Sequence, residues 1–188
     1  GSTCTIVYQL FKENKITIPE NIAGLLAAGI ISDTLLLKSP TTTEMDRDAL
    51  DNLEIIGKID AEKLAMDMFK ANDSTKNKSI EEIVYTDFKT FDYDTKVLGI
   101  GQITTLNAKN ILKNQGEYIK FLNKEAEENN YEVMLLAITD ILKNGSYILF
   151  NDSANDIIKL SFIEDVEQGT FLEEVVSRKK QIVPALFN

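Results

Sequence analysis

The hydrophobic period of this chain changes once, across the polar stretch Asn72-Asp73-Ser74-Thr75-Lys76-Asn77-Lys78. Upstream, apolar residues recur at helical spacing. Downstream, short apolar runs alternate with helical stretches. A single layer plan does not accommodate both patterns. The switch predicts a helical part over residues 1–71, a linker over 72–78 and an α/β part over 79–188.

In the first part, Ser2 or Thr3 can cap a short helix carrying Ile6, Val7, Leu10 and Phe11. Pro19-Glu20 opens a second helix, and residues 22–37 are apolar on nearly every face, with Gly24, Ala27, Ala28 and Gly29 allowing close approach. Ser39-Pro40 is expected to end it. Thr43 and Asp46 have capping-box spacing ahead of Ala49, Leu53 and Ile56, and Gly57 is the expected stop. Asp60 is the expected cap of a helix bearing Leu64, Met68 and Phe69.

In the second part, Ser79 and Glu82 repeat the capping-box spacing before Ile83 and Val84. Residues 88–91 and 97–104 read as strands, the latter with Gly99 and Gly101 on one face, where something packs closely. Asn107 is expected to open one long helix through Ile111, Tyr118, Leu122 and Ala126, ending at Asn129-Asn130. Residues 131–138 form a continuous apolar run, the mark of a strand covered on both faces. Asn144-Gly145 signals a tight turn into a strand at 147–150. Asp152 or Ser153 can cap a helix through Ile157, Ile158 and Leu160, and residues 161–188 read as turn, short strand and tail.

Charge and composition exclude several chemistries. With 30 acidic and 20 basic residues the net charge is −10, which argues against a nucleic-acid partner. The chain has no histidine, so it cannot supply a Ser-His-Asp triad, a His-liganded zinc site or a histidine general base. Its apolar runs are too short to span a bilayer and no secretory leader is evident, so no membrane partner is expected. Cys4 is the single cysteine, which fits a reducing, cytoplasmic location.

Three places could carry chemistry. Arg178-Lys179-Lys180 is a cation cluster kept against an acidic background: either a solvated basic turn or a seat for an anion, for which an Arg fork beside a Lys point charge suits phosphate. Asp33 is a lone carboxylate between apolar runs: a helix cap, an internal ion pair or a metal ligand would each supply the partner it needs. Lys89, flanked by Phe88 and Phe91, is an exposed strand lysine or a third phosphate-binding cation. Together they make a set suited to phosphate chemistry, with a carboxylate for a hard divalent metal and cations for phosphoryl oxygens. Because carboxylate and cations fall on opposite sides of the polar stretch, the expected site is a cleft between two domains. Asp140 is a site residue by position or the cap of a turn.

Several segments closely resemble the family II, manganese-dependent inorganic pyrophosphatases of the DHH phosphoesterase superfamily. They are Gly29-Ile30-Ile31-Ser32-Asp33-Thr34-Leu35-Leu36-Leu37-Lys38-Ser39-Pro40-Thr41, Asp87-Phe88-Lys89-Thr90-Phe91, Gly101-Gln102-Ile103, Thr139-Asp140-Ile141-Leu142 and Val176-Ser177-Arg178-Lys179-Lys180-Gln181-Ile182-Val183-Pro184. The resemblance implies an α/β fold: the helical tail of a DHH-type domain, then a mixed-sheet α/β C-terminal domain that binds substrate. It implies Asp33 as a metal ligand, and Lys89, Arg178 and Lys179 as phosphate-binding and catalytic residues. It further implies manganese, magnesium or cobalt as cofactor, pyrophosphate as substrate and phosphate as product. A homo-oligomer is left open. The family's Asp-His-His signature is not in these residues, so the chain is expected to correspond to the C-terminal portion of such an enzyme and to be inactive alone. The alternatives are a non-catalytic phosphate-binding or assembly module, and a related phosphoesterase acting on polyphosphate or nucleotides.

Overall fold

The structure, a computed structural model, describes residues 1–71, 75, 78–93, 96–162 and 166–187. The expected linker at 72–78 falls largely outside the described residues. The chain divides into two compact units, Gly1–Asn72 and Asp73–Asn188.

The first unit is helical. Its helices are α1 (Thr3–Glu13), α2 (Glu20–Thr34), α3 (Glu44–Gly57) and α4 (Ala61–Ala71). Helix α2 is the centre, burying Ala23, Leu26, Ala27, Ile30 and Ile31 in a core completed by Tyr8, Leu50, Leu53 and Ala65. The small residues have the expected use: a Cβ on Gly57 would lie 3.3 Å from the backbone nitrogen of Gly24, so α3 meets α2 almost backbone to backbone. Local signals set the helix starts. Ser2 Oγ accepts from Cys4 N, Thr43 and Asp46 form a reciprocal capping box, and Asp60 Oδ1 accepts from Lys63 N.

Two helix ends depart from expectation. The second helix stops at Thr34 rather than running on to Ser39-Pro40, and Leu35, Leu36 and Leu37 all take left-handed φ of 50°, 53° and 63°. Thr34 drives the reversal: its hydroxyl donates to Ile30 O and accepts from Leu37 N, folding the chain back over the last turn. Packing of Leu36 and Leu37 against the helical core offsets the backbone strain. The left-handed residue closing α3 is Lys58, φ 49°, and not Gly57.

The second unit is α/β, built on a five-stranded sheet of order β1-β2-β3-β4-β5, with β1 at Phe88–Tyr93, β2 at Lys96–Thr105, β3 at Val133–Asp140, β4 at Gly145–Phe150 and β5 at Phe171–Glu173. The sheet is mixed: β2 and β3 are parallel and the other pairs antiparallel. Every residue of β3 is buried, as its unbroken apolar run predicts. Helices α5 (Ile80–Val84), α6 (Ala108–Leu112) and α7 (Gln115–Asn129) pack with Met134, Leu136, Ile138 and Leu149 on one face. On the other, α8 (Asn155–Ser161) and α9 (Val183–Leu186) pack with Leu98, Ile100, Leu135, Ile148 and Phe150.

Gly99 and Gly101 do sit at close approaches. A Cβ on Gly99 would fall 2.7 Å from the Phe88 ring, and one on Gly101 would fall 2.5 Å from the Val84 carbonyl oxygen. The single long helix expected from Asn107 is two helices, because the chain turns at Lys113-Asn114 and Asn114 becomes the first flanking residue of α7. The cap expected at Asp152 or Ser153 is likewise displaced: a 3₁₀ turn covers Asp152–Ala154, after a buried Asn151 whose Oδ1 accepts from Met134 N. The short strand expected after residue 161 is β5, and the part read as a tail carries a π-helical turn over Arg178–Ile182 and α9 with Pro184 in its first turn.

Candidate anion-binding site

One end of a sheet face breaks its apolar pattern. Alternation along β2, β3 and β4 aligns Leu98 with Val133, then Ile100, Leu135 and Phe150, and sets Ala137 beside Ile148, on the face under α8 and α9. Farther along the same face stand Gln102, Thr139 and Ser146, and the last two have no exposed surface. Their hydrogen bonds run in one direction. Gln102 Nε2 donates to Thr139 Oγ1 at 2.9 Å, Thr139 and Ser146 hydroxyls lie 2.9 Å apart, and Ser146 Oγ donates to Val175 O at 2.6 Å. Each hydroxyl has one proton, so Thr139 is the donor to Ser146.

This row holds the chain that leads into the cation run. Gln102 Nε2 also donates to Val176 O, while its Oε1 accepts from Arg178 N at 3.2 Å. Gln181 folds back so that its Oε1 accepts from both Val176 N and Ser177 N at 3.0 Å. Ser177 Oγ caps the π-helical turn through Lys180 N. Residues 177–181 are therefore fixed at both ends to the sheet and to themselves, which is not the construction of a solvated turn.

The three cations end differently. Arg178 is only 5% exposed. Its Nη1 donates to Asp87 O and to Ile100 O, and its Nη2 donates to Asp87 Oδ1 at 2.9 Å. Lys179 and Lys180 are exposed. Lys89 is exposed on β1 and is the register partner of Ile100, the residue whose carbonyl holds Arg178. Strand pairing thus brings Lys89 and the Arg178-Lys179 turn to one region of one unit.

Asp33 belongs to the other unit. It is exposed near the end of α2 rather than enclosed in an apolar site, and Ser2 Oγ donates to its Oδ2 at 2.6 Å. The carboxylate that is buried there is Asp46, which the sequence marked only as a cap. Burial opposes its ionisation, but donors from Thr5 Oγ1, Ser2 N and Thr43 outweigh this and hold the carboxyl well below the usual range. Asp140 serves a turn, accepting from Leu142 N and Lys143 N. Among the described residues no three Asp, Glu, Cys or His side chains gather where they could hold a metal ion.

Asp87 and Gln102 are the functional neighbours that sequence reasoning left without roles. Gln102 was detectable as the one amide inside an otherwise apolar strand.

Residues 66–188 match the DHHA2 domain family. The chain belongs to that family. Its relatives agree along nearly its whole length. A Clostridium acetobutylicum protein named a probable manganese-dependent inorganic pyrophosphatase is 37% identical over 187 residues, which cover 99% of this chain and 60% of the relative. The cobalt-dependent inorganic pyrophosphatase of Clostridium perfringens is 43% identical over 187 residues, 99% of this chain and 34% of that protein. The crystal structure of a Methanococcus jannaschii protein described as a family II inorganic pyrophosphatase superimposes with a TM-score of 0.79 at 35% identity, covering 99% of this chain and 64% of that one. This DHHA2-family chain spans about three fifths of the length of the C. acetobutylicum relative. No helix among its described residues is long and apolar enough to cross a membrane.

Proposed function

We propose that this chain is the phosphate-binding part of a family II inorganic pyrophosphatase, and that the intact protein hydrolyses pyrophosphate to two phosphates. The observation that carries the reading is the turn at 177–181, which commits a half-buried amide, two buried hydroxyls and a folded-back glutamine to presenting cations. Pyrophosphatase names on relatives 37–43% identical over 99% of the chain support the substrate. In this reading Lys89 and Lys179 are exposed charges for the phosphoryl oxygens, and Arg178 offers directional N–H donors beside them. The location is cytoplasmic and the assembly is open to a homo-oligomer.

Manganese or cobalt, named for the relatives, does not fit the donors of this chain by themselves. A hard divalent ion takes about six oxygen or nitrogen donors, and Asp33 is a single carboxylate in a chain without histidine. Asp33 is proposed as one donor of a set completed outside these 188 residues, and no step of the reaction is derived through the metal.

The test is calorimetric titration of the chain with pyrophosphate and with longer polyphosphate, alongside phosphate release in manganese. Pyrophosphate should bind without being turned over, and lysine substitution at Lys89→Ala or Lys179→Ala should weaken it. Tighter binding of the longer chains would favour a polyphosphate substrate. Enzyme-like turnover by this chain alone would overturn the incomplete metal set.

A further inference from the structure

We propose that Asp87 is a latch on Arg178: its carboxylate occupies the guanidinium edge that a phosphoryl oxygen would take, so anion binding here exchanges one oxyanion for another. The inference rests on the phosphate-binding reading above.

Arg178 is anchored at one nitrogen. Nη1 is shared between the carbonyls of Asp87 and Ile100. Neither acceptor can move away, since Ile100 lies within β2 and the Asp87 carbonyl also accepts from Gln102 N at 2.9 Å. The edge left for a ligand is the one bearing Nη2, and Asp87 Oδ1 sits there at 2.9 Å. The two partners are unequally solvated: the Arg178 side chain is 6% exposed and that of Asp87 is 54% exposed. Swinging the carboxylate into water is cheap because it is already half hydrated. Withdrawing the arginine would break its bonds to the carbonyls of Asp87 and Ile100 as well as to the carboxylate. The exchange therefore moves Asp87 and leaves Arg178 where it is.

The latch also selects. Without ligand it keeps the buried guanidinium paired. To displace a carboxylate, an incoming anion needs more charge than a carboxylate has, and the exposed Lys89 and Lys179 reward that extra charge. Phosphate and pyrophosphate meet the condition; acetate does not.

The experiment titrates inorganic pyrophosphate into the 188-residue chain by calorimetry, comparing wild type, Asp87→Asn, Asp92→Asn and the double variant Asp87→Asn/Arg178→Ala. Asp92 is an exposed acid on the opposite face of β1 from Lys89 and controls for net charge. Asp87→Asn should bind about three- to tenfold tighter, the scale of one partly solvated charge pair, Asp92→Asn should match wild type, and the double variant should lose the gain. In wild type, the side-chain carboxyl ¹³C resonance of Asp87 should shift as pyrophosphate saturates, a readout that needs no variant to fold. The latch is overturned if wild type binds and Asp87→Asn binds no tighter, if Asp92→Asn gains as much, or if the Asp87 resonance stays fixed under saturation. If neither wild type nor Asp87→Asn binds at all, the phosphate reading falls and the latch with it.

Discussion

At the scale of single residues, the amide of Gln102 is the group that ties the cation run to the sheet. It joins β2, β3 and the chain at Val176–Arg178 through three hydrogen bonds on one side chain. Removing it leaves Thr139 Oγ1, Val176 O and Arg178 N short of partners inside the sheet. Gln102→Ala should cost about 2–3 kcal/mol, the sum of a lost bond and desolvated groups left unpaired, read as a lower urea midpoint at unchanged slope. Pyrophosphate affinity should fall as well, because the turn loses its register on β2. A variant as stable as wild type would remove Gln102 from this role. None of this was visible in the residue alone: an amide in an apolar strand signals a buried polar contact, but its partners lie 37, 74 and 76 positions away.

Elements show where local signals suffice and where they fail. The capping boxes Thr43/Asp46 and Ser79/Glu82 were legible because both partners lie within one turn. The left-handed leucines 35–37 were not, since leucine disfavours that backbone, and the Thr34 hydroxyl together with packing of Leu36 and Leu37 against the helical core holds it there. The paired glycines of β2 give a graded test. In Gly99→Ala the new Cβ meets the rim of a ring, 2.7 Å away, which can tilt; in Gly101→Ala it meets a backbone oxygen at 2.5 Å, which cannot. Gly99→Ala should cost about 1–2 kcal/mol and Gly101→Ala about 3 kcal/mol, measured by thermal unfolding; the reverse order would refute the steric account. Asp46 gives the first unit a pH response. Its folded carboxyl is held low, so its contribution is complete above the unfolded value of about 3.8 and is lost as pH falls from there toward the folded value. Acid unfolding should steepen below that point, and Asp46→Asn should flatten the profile while lowering stability at neutral pH.

At the scale of the whole molecule, the chain divides into two compact units, Gly1–Asn72 and Asp73–Asn188. The alternation of strand and helix made an α/β second unit legible, and the mixed sheet is the one the family resemblance implied. What the sequence could not supply was the distribution of chemistry. Charge alone left the cation run as a solvated turn or an anion seat, and burial sends Arg178 inward while Lys179 and Lys180 stay outside. At Asp33, apolar neighbours along the chain suggested enclosure, but the carboxylate is exposed on α2 while Ile30, Ile31 and Thr34 are buried.

The bonds of Arg178 carry one more consequence, for the order in which the second unit assembles. They close loops of 91 residues to Asp87 and 78 to Ile100, across a sheet whose central strands must already be paired. Closing so long a loop costs less entropy once shorter contacts have formed. Contacts of the guanidinium should thus be absent from the folding transition state. Arg178→Lys should leave the refolding rate within about twofold of wild type and place nearly all of its destabilisation in faster unfolding, as stopped-flow chevrons would reveal. A partly folded intermediate would then have no phosphate seat, and ligand affinity would report that the last segment has docked.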